Sequence, residues 1–434
     1  MRWGERSLRG GGATGHHGDV RAKPIVILLA IEVALQLVWV ASPMPAPVAA
    51  QGAVPAPPWA RSVLVIDDGA VLYREPRAGS PRRGTVALGT RLPLVRRLAG
   101  NGCPTGFWVE TGPSAFVCEH YVRLSPDAAG GVDQPPHQGD GLLPNTHAFV
   151  AFDGTRAYER PSDHDADDYV EAYGEGFGLV LLQRTRHAGL TFFQTRRGLW
   201  VEASNLRFAR GSTFQGIALD RDDPFDVAFV RRNGARVHAR PRGPVLRRLG
   251  RRDVVHVAEE VSPRMVRLVD GTFMRRADLR RATVAPRPAE VGPNERWIDV
   301  HVDEQVMTAY EGDRPVYVTL ISSGRNRPSH DTPRGTFRVW VKLATSDMDD
   351  LERTDVERNY SIEAVPWVQY FEGSNGFHAA FWHDDFGQRH SHGCVNLSPT
   401  DARWLFSFTE PALPSGWYAI LPTEDAPGTV VRVR

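Results

Sequence analysis

The chain has 434 residues, of which 41% are hydrophobic and 24% charged, which is enough apolar material for folded cores and excludes a disordered chain. Its formal net charge of +1 gives no reason to expect nucleic acid as a partner. Of 52 basic residues only Lys23 and Lys342 are lysine, so any lysine in the fold has been kept against a strong arginine bias.

At the N-terminus Arg2, Arg6, Arg9, Arg21 and Lys23 precede an apolar run from Ile25 to Val40, and the small-residue stretch Pro47-Val48-Ala49-Ala50 follows. That order reads as a secretory signal over residues 1–50, cleaved after Ala50. A retained anchor is the alternative. A spanning helix needs about 20 apolar residues, whereas this run is shorter and carries Glu32 and Gln36. The mature protein is expected in the periplasm or cell envelope, soluble once cleaved or membrane-anchored if not.

Three stretches then share the pattern Gly-x3-aromatic-x2-Pro. DDGAVLYREP aligns Gly69, Tyr73 and Pro76; FDGTRAYERP aligns Gly154, Tyr158 and Pro161; RNGARVHARP aligns Gly234, His238 and Pro241. Short apolar strands separated by Gly and Pro turns follow each one, which predicts three small β-barrels in series, over residues 61–126, 145–212 and 224–284. Polar, Gly- and Pro-rich linkers occupy residues 127–144 and 285–294. The pattern resembles bacterial SH3-like domains, which implies docking onto cell-wall glycan or peptide. Packing aromatics in inert spacers are the alternative. Within the first unit Cys103 and Cys118 are expected to pair in an oxidising compartment, two separate buried thiols being the alternative.

From residue 295 to 424 the reading is a mostly β domain. Period-two strands lie over Trp297–Val302, Gln305–Tyr310 and Val316–Ile321, joined by turns short enough for an antiparallel meander, and another is expected over Thr336–Leu343. Residues 344–376 form a long insertion with acidic Asp347, Asp349, Asp350 and Glu352 and aromatic Trp367, Tyr370 and Phe371. It reads equally as a lid over the site or as a surface loop with a core strand. After Cys394, Ser398 and Pro399 start a helix whose apolar face is Ala402, Leu405 and Phe406.

Cys394 thus lies in a loop, between Ser391-His392-Gly393 and Val395-Asn396, in surroundings too polar for an inert core thiol. A cysteine nucleophile needs an imidazole to take its proton, and His378 or His392 can serve. With that help the thiol is expected to be substantially ionised near neutral pH. Gly393 leaves the backbone N–H groups of its turn open to a developing oxyanion. Six residues with metal-ligand chemistry, His378, His383, Asp384, His390, His392 and Cys394, fall within 17 positions, but the close Cys/His pairing of structural zinc sites is absent, so neither metal nor cofactor is expected.

Thr332-Pro-x-Gly335, His378 and Ser391-His-Gly-Cys394 with Asn396-Leu397 together resemble the catalytic domain of the L,D-transpeptidases, which cross-link peptidoglycan. The resemblance implies that Cys394 attacks the stem-peptide carbonyl before the terminal D-alanine and passes the acyl group to an amine acceptor. It makes His378 the base, oriented by the carbonyl of Ala379, where many members have Gly or Ser. It gives Gly393 and Cys394 the oxyanion donors and lines the substrate site with His392, Ser391, Asn396, His383 and Trp382. An L,D-carboxypeptidase that uses water as acceptor and a non-catalytic wall-binding protein are the rival functions.

Overall fold

In a computed structural model that describes residues 52–136, 141–221, 223–327, 330–349 and 360–434, the repeat pattern has a backbone cause. Gly69, Gly154 and Gly234 turn with φ of +74°, +73° and +75°. Space around them is open, so it is the left-handed backbone and not crowding that selects glycine. Each turn opens onto a strand, Ala70–Tyr73, Thr155–Ala157 or Ala235–His238. The aromatic that follows packs within its own unit: Tyr73 edge-on to Trp108 at 5.6 Å and Tyr158 against His164 at 5.4 Å, while His238 Nδ1 lies 2.9 Å from Gly243 O. The expected signal at residues 1–50, part of the first linker, and Asp350 and Glu352 of the insertion lie outside the described residues.

The protein is mainly β, but no closed barrel forms among the described residues. Strand Arg82–Val86 of the first repeat pairs with Trp417–Ile420, which continues through Val341–Asp349 and Ser361–Glu372 to Gly178–His187 of the second. Edges that barrels would have closed on themselves are closed by the C-terminal region. Trp417 and Ile420 sit in one core with Val63, Leu72, Val86 and Val117. Likewise Val227 and Phe229 share a core with Val318, Leu320, Ala380 and Phe386. Residues 51–434 therefore hold together as one unit rather than as beads on a string.

The expected disulfide is present between Cys103 and Cys118, with Cα atoms 5.5 Å apart. Closing a loop of that size stabilises a fold by about 3 kcal/mol in the chain-entropy model.

Arg296–His301, Val306–Glu311 and Arg314–Leu320 form the predicted meander. The predicted strand over Thr336–Leu343 divides: Gly335–Arg338 pairs with Val430–Val433, whereas Val341–Asp349 joins the larger sheet. Val430–Val433, beyond the C-terminal limit read from the sequence, lies parallel to Arg296–His301, between it and Gly335–Arg338. Of the insertion, Ser361–Glu372 is a core strand that buries Trp367 and Phe371. The helix Pro399–Phe408 starts as predicted, Ser398 Oγ accepting from Asp401 N at 3.1 Å.

Lys342 is fully buried, its Nζ donating to Phe406 O at 2.7 Å and Thr409 O at 2.8 Å, at the C-terminal end of that helix. Burial lowers its pKa from 10.5 to about 7. Between those values the unfolded chain keeps a proton that the folded chain has released, so this group makes stability rise with pH across the window and adds no slope below about 7. Lys342→Met is expected to remove a slope of up to about 1.4 kcal/mol per pH unit. Denaturant unfolding of both proteins at the two ends of that window checks it; equal slopes would contradict it.

Candidate active site

Strand register sets the imidazole beside the segment that follows the thiol. Asn375–Ala379 runs parallel to Val395–Leu397, with Phe377 opposite Val395, His378 opposite Asn396 and Ala379 opposite Leu397. Phe377, Val395, Ala379 and Leu397 all point into the main core. Since side chains alternate along a strand, His378 and Asn396 point the other way, and Cys394, two residues before Asn396, opens onto that same face.

His378 is 3% exposed and its Nδ1 donates to Ala379 O at 3.0 Å, which leaves Nε2 as the basic nitrogen. Trp382 stacks on the ring at 5.6 Å. Burial pulls the imidazole down to about 4, the bond to Ala379 opposing it. Cys394 is the one free cysteine among the described residues, partly exposed, with Sγ donating to Ser374 O at 3.5 Å. Burial pushes its thiol up to about 11, against the pull of the Gly376 N–H. Burial thus disfavours charge on both groups, which works against the thiolate expected at neutral pH. The helix does not help, since strand Val395–Leu397 stands between it and the thiol.

The turn ahead of Cys394 is held from both sides. Ser391, 7% exposed, donates its hydroxyl to Cys394 O and accepts from Gly393 N at 3.1 Å. From the Thr332-Pro-x-Gly335 stretch, Thr332 Oγ1 donates to Gly393 O at 2.8 Å and accepts from Gly324 N at 2.9 Å. Gly393 has φ of +136°, and a Cβ there would lie 2.2 Å from Asn375 Oδ1, so only glycine fits. Ser391 thus staples the turn, and the Gly393 N–H is engaged with its hydroxyl.

Asn396 is 2% exposed, its side-chain amide 2.9 Å from His383 Nε2. His383 Nδ1 accepts from Asp385 N at 3.1 Å, so Nε2 carries the ring proton and donates. Asn396 therefore accepts from the ring through its side-chain oxygen. Asn396 and His383 thus hold one another beside His378. His392 is exposed, stacked on Tyr360 at 5.6 Å and edge-on to His330 at 4.4 Å.

His383, Asp385 and His390 bring ligand atoms within 4.8 Å of one another. Both nitrogens of His383 are engaged and Arg251 lies 3.4 Å from Asp385, so the group works as a hydrogen-bonded support and suits a cation poorly. Of the six residues singled out by spacing it contains only His383 and His390.

Residues 295–433 match the L,D-transpeptidase catalytic domain, YkuD. Over 124 residues the chain is 32% identical to YciB of Bacillus subtilis (strain 168), a protein assigned to the L,D-transpeptidases, covering 25% of this chain and 59% of that one. An Enterococcus faecium L,D-transpeptidase of known structure is 25% identical, with a TM-score of 0.25, over 32% of this chain and 50% of its own. L,D-transpeptidase 3 of Mycobacterium tuberculosis is 21% identical, with a TM-score of 0.26, over 33% and 61%. The chain thus spans less than two thirds of the length of each of these relatives. Sequence reasoning singled out Cys394 and His378 but missed how Thr332 and Ser391 hold the turn ahead of Cys394, since nothing in their spacing gives the direction of a hydroxyl.

Proposed function

We propose that the chain is an exported cell-wall L,D-transpeptidase. The observation that supports this reading is the strand register that sets His378 beside Asn396, two residues after Cys394, with His378 Nδ1 fixed on Ala379 O. As Sγ attacks the stem-peptide carbonyl, its proton passes to His378 Nε2 and a C–S bond forms. Collapse of the oxyanion, faced by the Cys394 N–H, breaks the C–N bond, and D-alanine leaves with the proton from His378. An acceptor amine then attacks the thioester, a new C–N bond replaces the C–S bond, and the thiol recovers its proton. Among the described residues no helix is long and apolar enough to cross a membrane, and the Cys103–Cys118 bridge fits an oxidising compartment. His392 beside Tyr360 offers an exposed ring face for the stem.

Incubation with tetrapeptide stems and mass analysis of the products tests the reading. Cross-linked dimers are expected; tripeptides alone would make water the acceptor, and unchanged stems would leave a binding protein. The three repeats are proposed as SH3-like contacts to wall glycan or peptide, supported by their similarity in series. Because their cores are shared with the C-terminal region, sedimentation of the whole chain with purified sacculi is the proper check, and recovery no greater than a control protein would make them spacers.

A further inference from the structure

We propose that Arg251 and Arg252 of the third repeat are positioning residues for the active site, acting through the segment 382–390 on His383 and Asn396. The inference rests on Cys394 being the nucleophile.

The segment has no regular secondary structure, yet it carries Trp382 and His383, which abut His378 and Asn396. Its inner side is tied by Gly387 N to Ile321 O at 2.8 Å and His390 N to Ser323 O at 2.9 Å. Its outer side is gripped by the third repeat. The main-chain carbonyl of Asp384 accepts from Nη2 of both Arg251 and Arg252. Arg252 Nη1 also lies 2.8 Å from Asp384 Oδ1, and Ser212 Oγ donates to the same carboxylate oxygen. The Arg252 guanidinium lies over the rings of Phe214 at 5.1 Å and Phe386 at 5.8 Å.

Two independent features distinguish this from a chance surface pair. Arg252 has φ of +73°, a left-handed conformation that disfavours a non-glycine residue, and its side chain is only 14% exposed. Asp384 is adjacent to His383, whose ring meets Asn396, and Asn396 stands opposite His378 in the strand register. A shift of the Asp384 carbonyl is thereby passed to the groups behind the thiol.

Arg252→Ala is expected to lower kcat by about 10- to 100-fold, the range for a small misplacement of catalytic groups, with KM changed less than about threefold. Arg252→Lys keeps the charge but loses the fork, and is expected to recover only part of the rate. Arg267→Ala, an exposed arginine of the same repeat 2.8 Å from Glu259, serves as the neutral control. Iodoacetamide alkylation of Cys394 needs no stem peptide. Loosening the segment admits water to the buried pair, so alkylation at about pH 8 should rise at least about threefold in Arg252→Ala. If the wild type turns over no stem peptide, the functional reading fails while alkylation still judges the clamp. A folded Arg251→Ala/Arg252→Ala variant with wild-type kcat, or wild-type alkylation, overturns the proposal. Should the alanine variants not fold, wild-type values in Arg252→Lys overturn it.

Discussion

Cys394→Ala is expected to abolish product outright, and His378→Ala to lower turnover by at least about 10²-fold, the low end for losing a positioned base. Each loss has a distinct cause. Without Sγ there is no atom to carry the acyl group. Without the imidazole the thiol keeps its proton, because burial holds that thiol up near 11 and no cation among the described residues lowers it. The depressed pKa of His378, about 4, keeps the ring unprotonated and able to accept a proton through the neutral range. Two pH dependences follow. In the free enzyme kcat/KM should hold its value as pH falls until His378 takes up a proton near 4, and alkylation of Cys394 should keep rising toward about 11 without levelling off at neutrality. A plateau of alkylation by pH 7 would mean a preformed thiolate–imidazolium pair. Greater slowing in His392→Ala than in His378→Ala would identify the other histidine as the base.

Asp401→Ala is expected to cost about 3–6 kcal/mol of stability, a large share of the roughly 5–15 kcal/mol that holds a typical domain folded. Asp401 is fully buried in the first turn of the helix and accepts from Thr319 Oγ1 at 2.5 Å, Tyr317 OH at 2.7 Å and Gly216 N at 2.8 Å. Removing the carboxylate leaves three buried donors without an acceptor, each worth about 1–3 kcal/mol. The Gly216 bond also ties the segment between the second and third repeats to the catalytic domain, where Ile217 and Ala218 pair with Val318 and Tyr317. Asp401→Asn keeps the size and part of the acceptor capacity, so about half the cost is expected. Denaturant unfolding of the three proteins decides this, and an alanine variant within about 1 kcal/mol of wild type would show that the donors find other partners.

What was legible in the sequence was local. The glycine turns of the repeats, the meander from Arg296, the Ser398 cap and the run around Cys394 each depend on residues close in the chain, and each is found where the pattern placed it. What was not legible depends on pairing between distant edges. Nothing in Arg82–Val86 announces Trp417–Ile420 as its neighbour, and so barrels were expected where strands are shared. The motif shows an imidazole that favours the thiolate and hides the burial that opposes charge on the thiol. Arg251 and Arg252 gave no signal at all in a chain with 50 arginines, their role arising only from where the third repeat is packed.

The most direct measurement is the intact mass of the protein after brief exposure to a tetrapeptide stem. The account predicts an adduct of the stem less its terminal D-alanine, mapped to Cys394, at full yield in the wild type, much slower in His378→Ala and missing from Cys394→Ala. An adduct of that mass that persists in Cys394→Ala would contradict it.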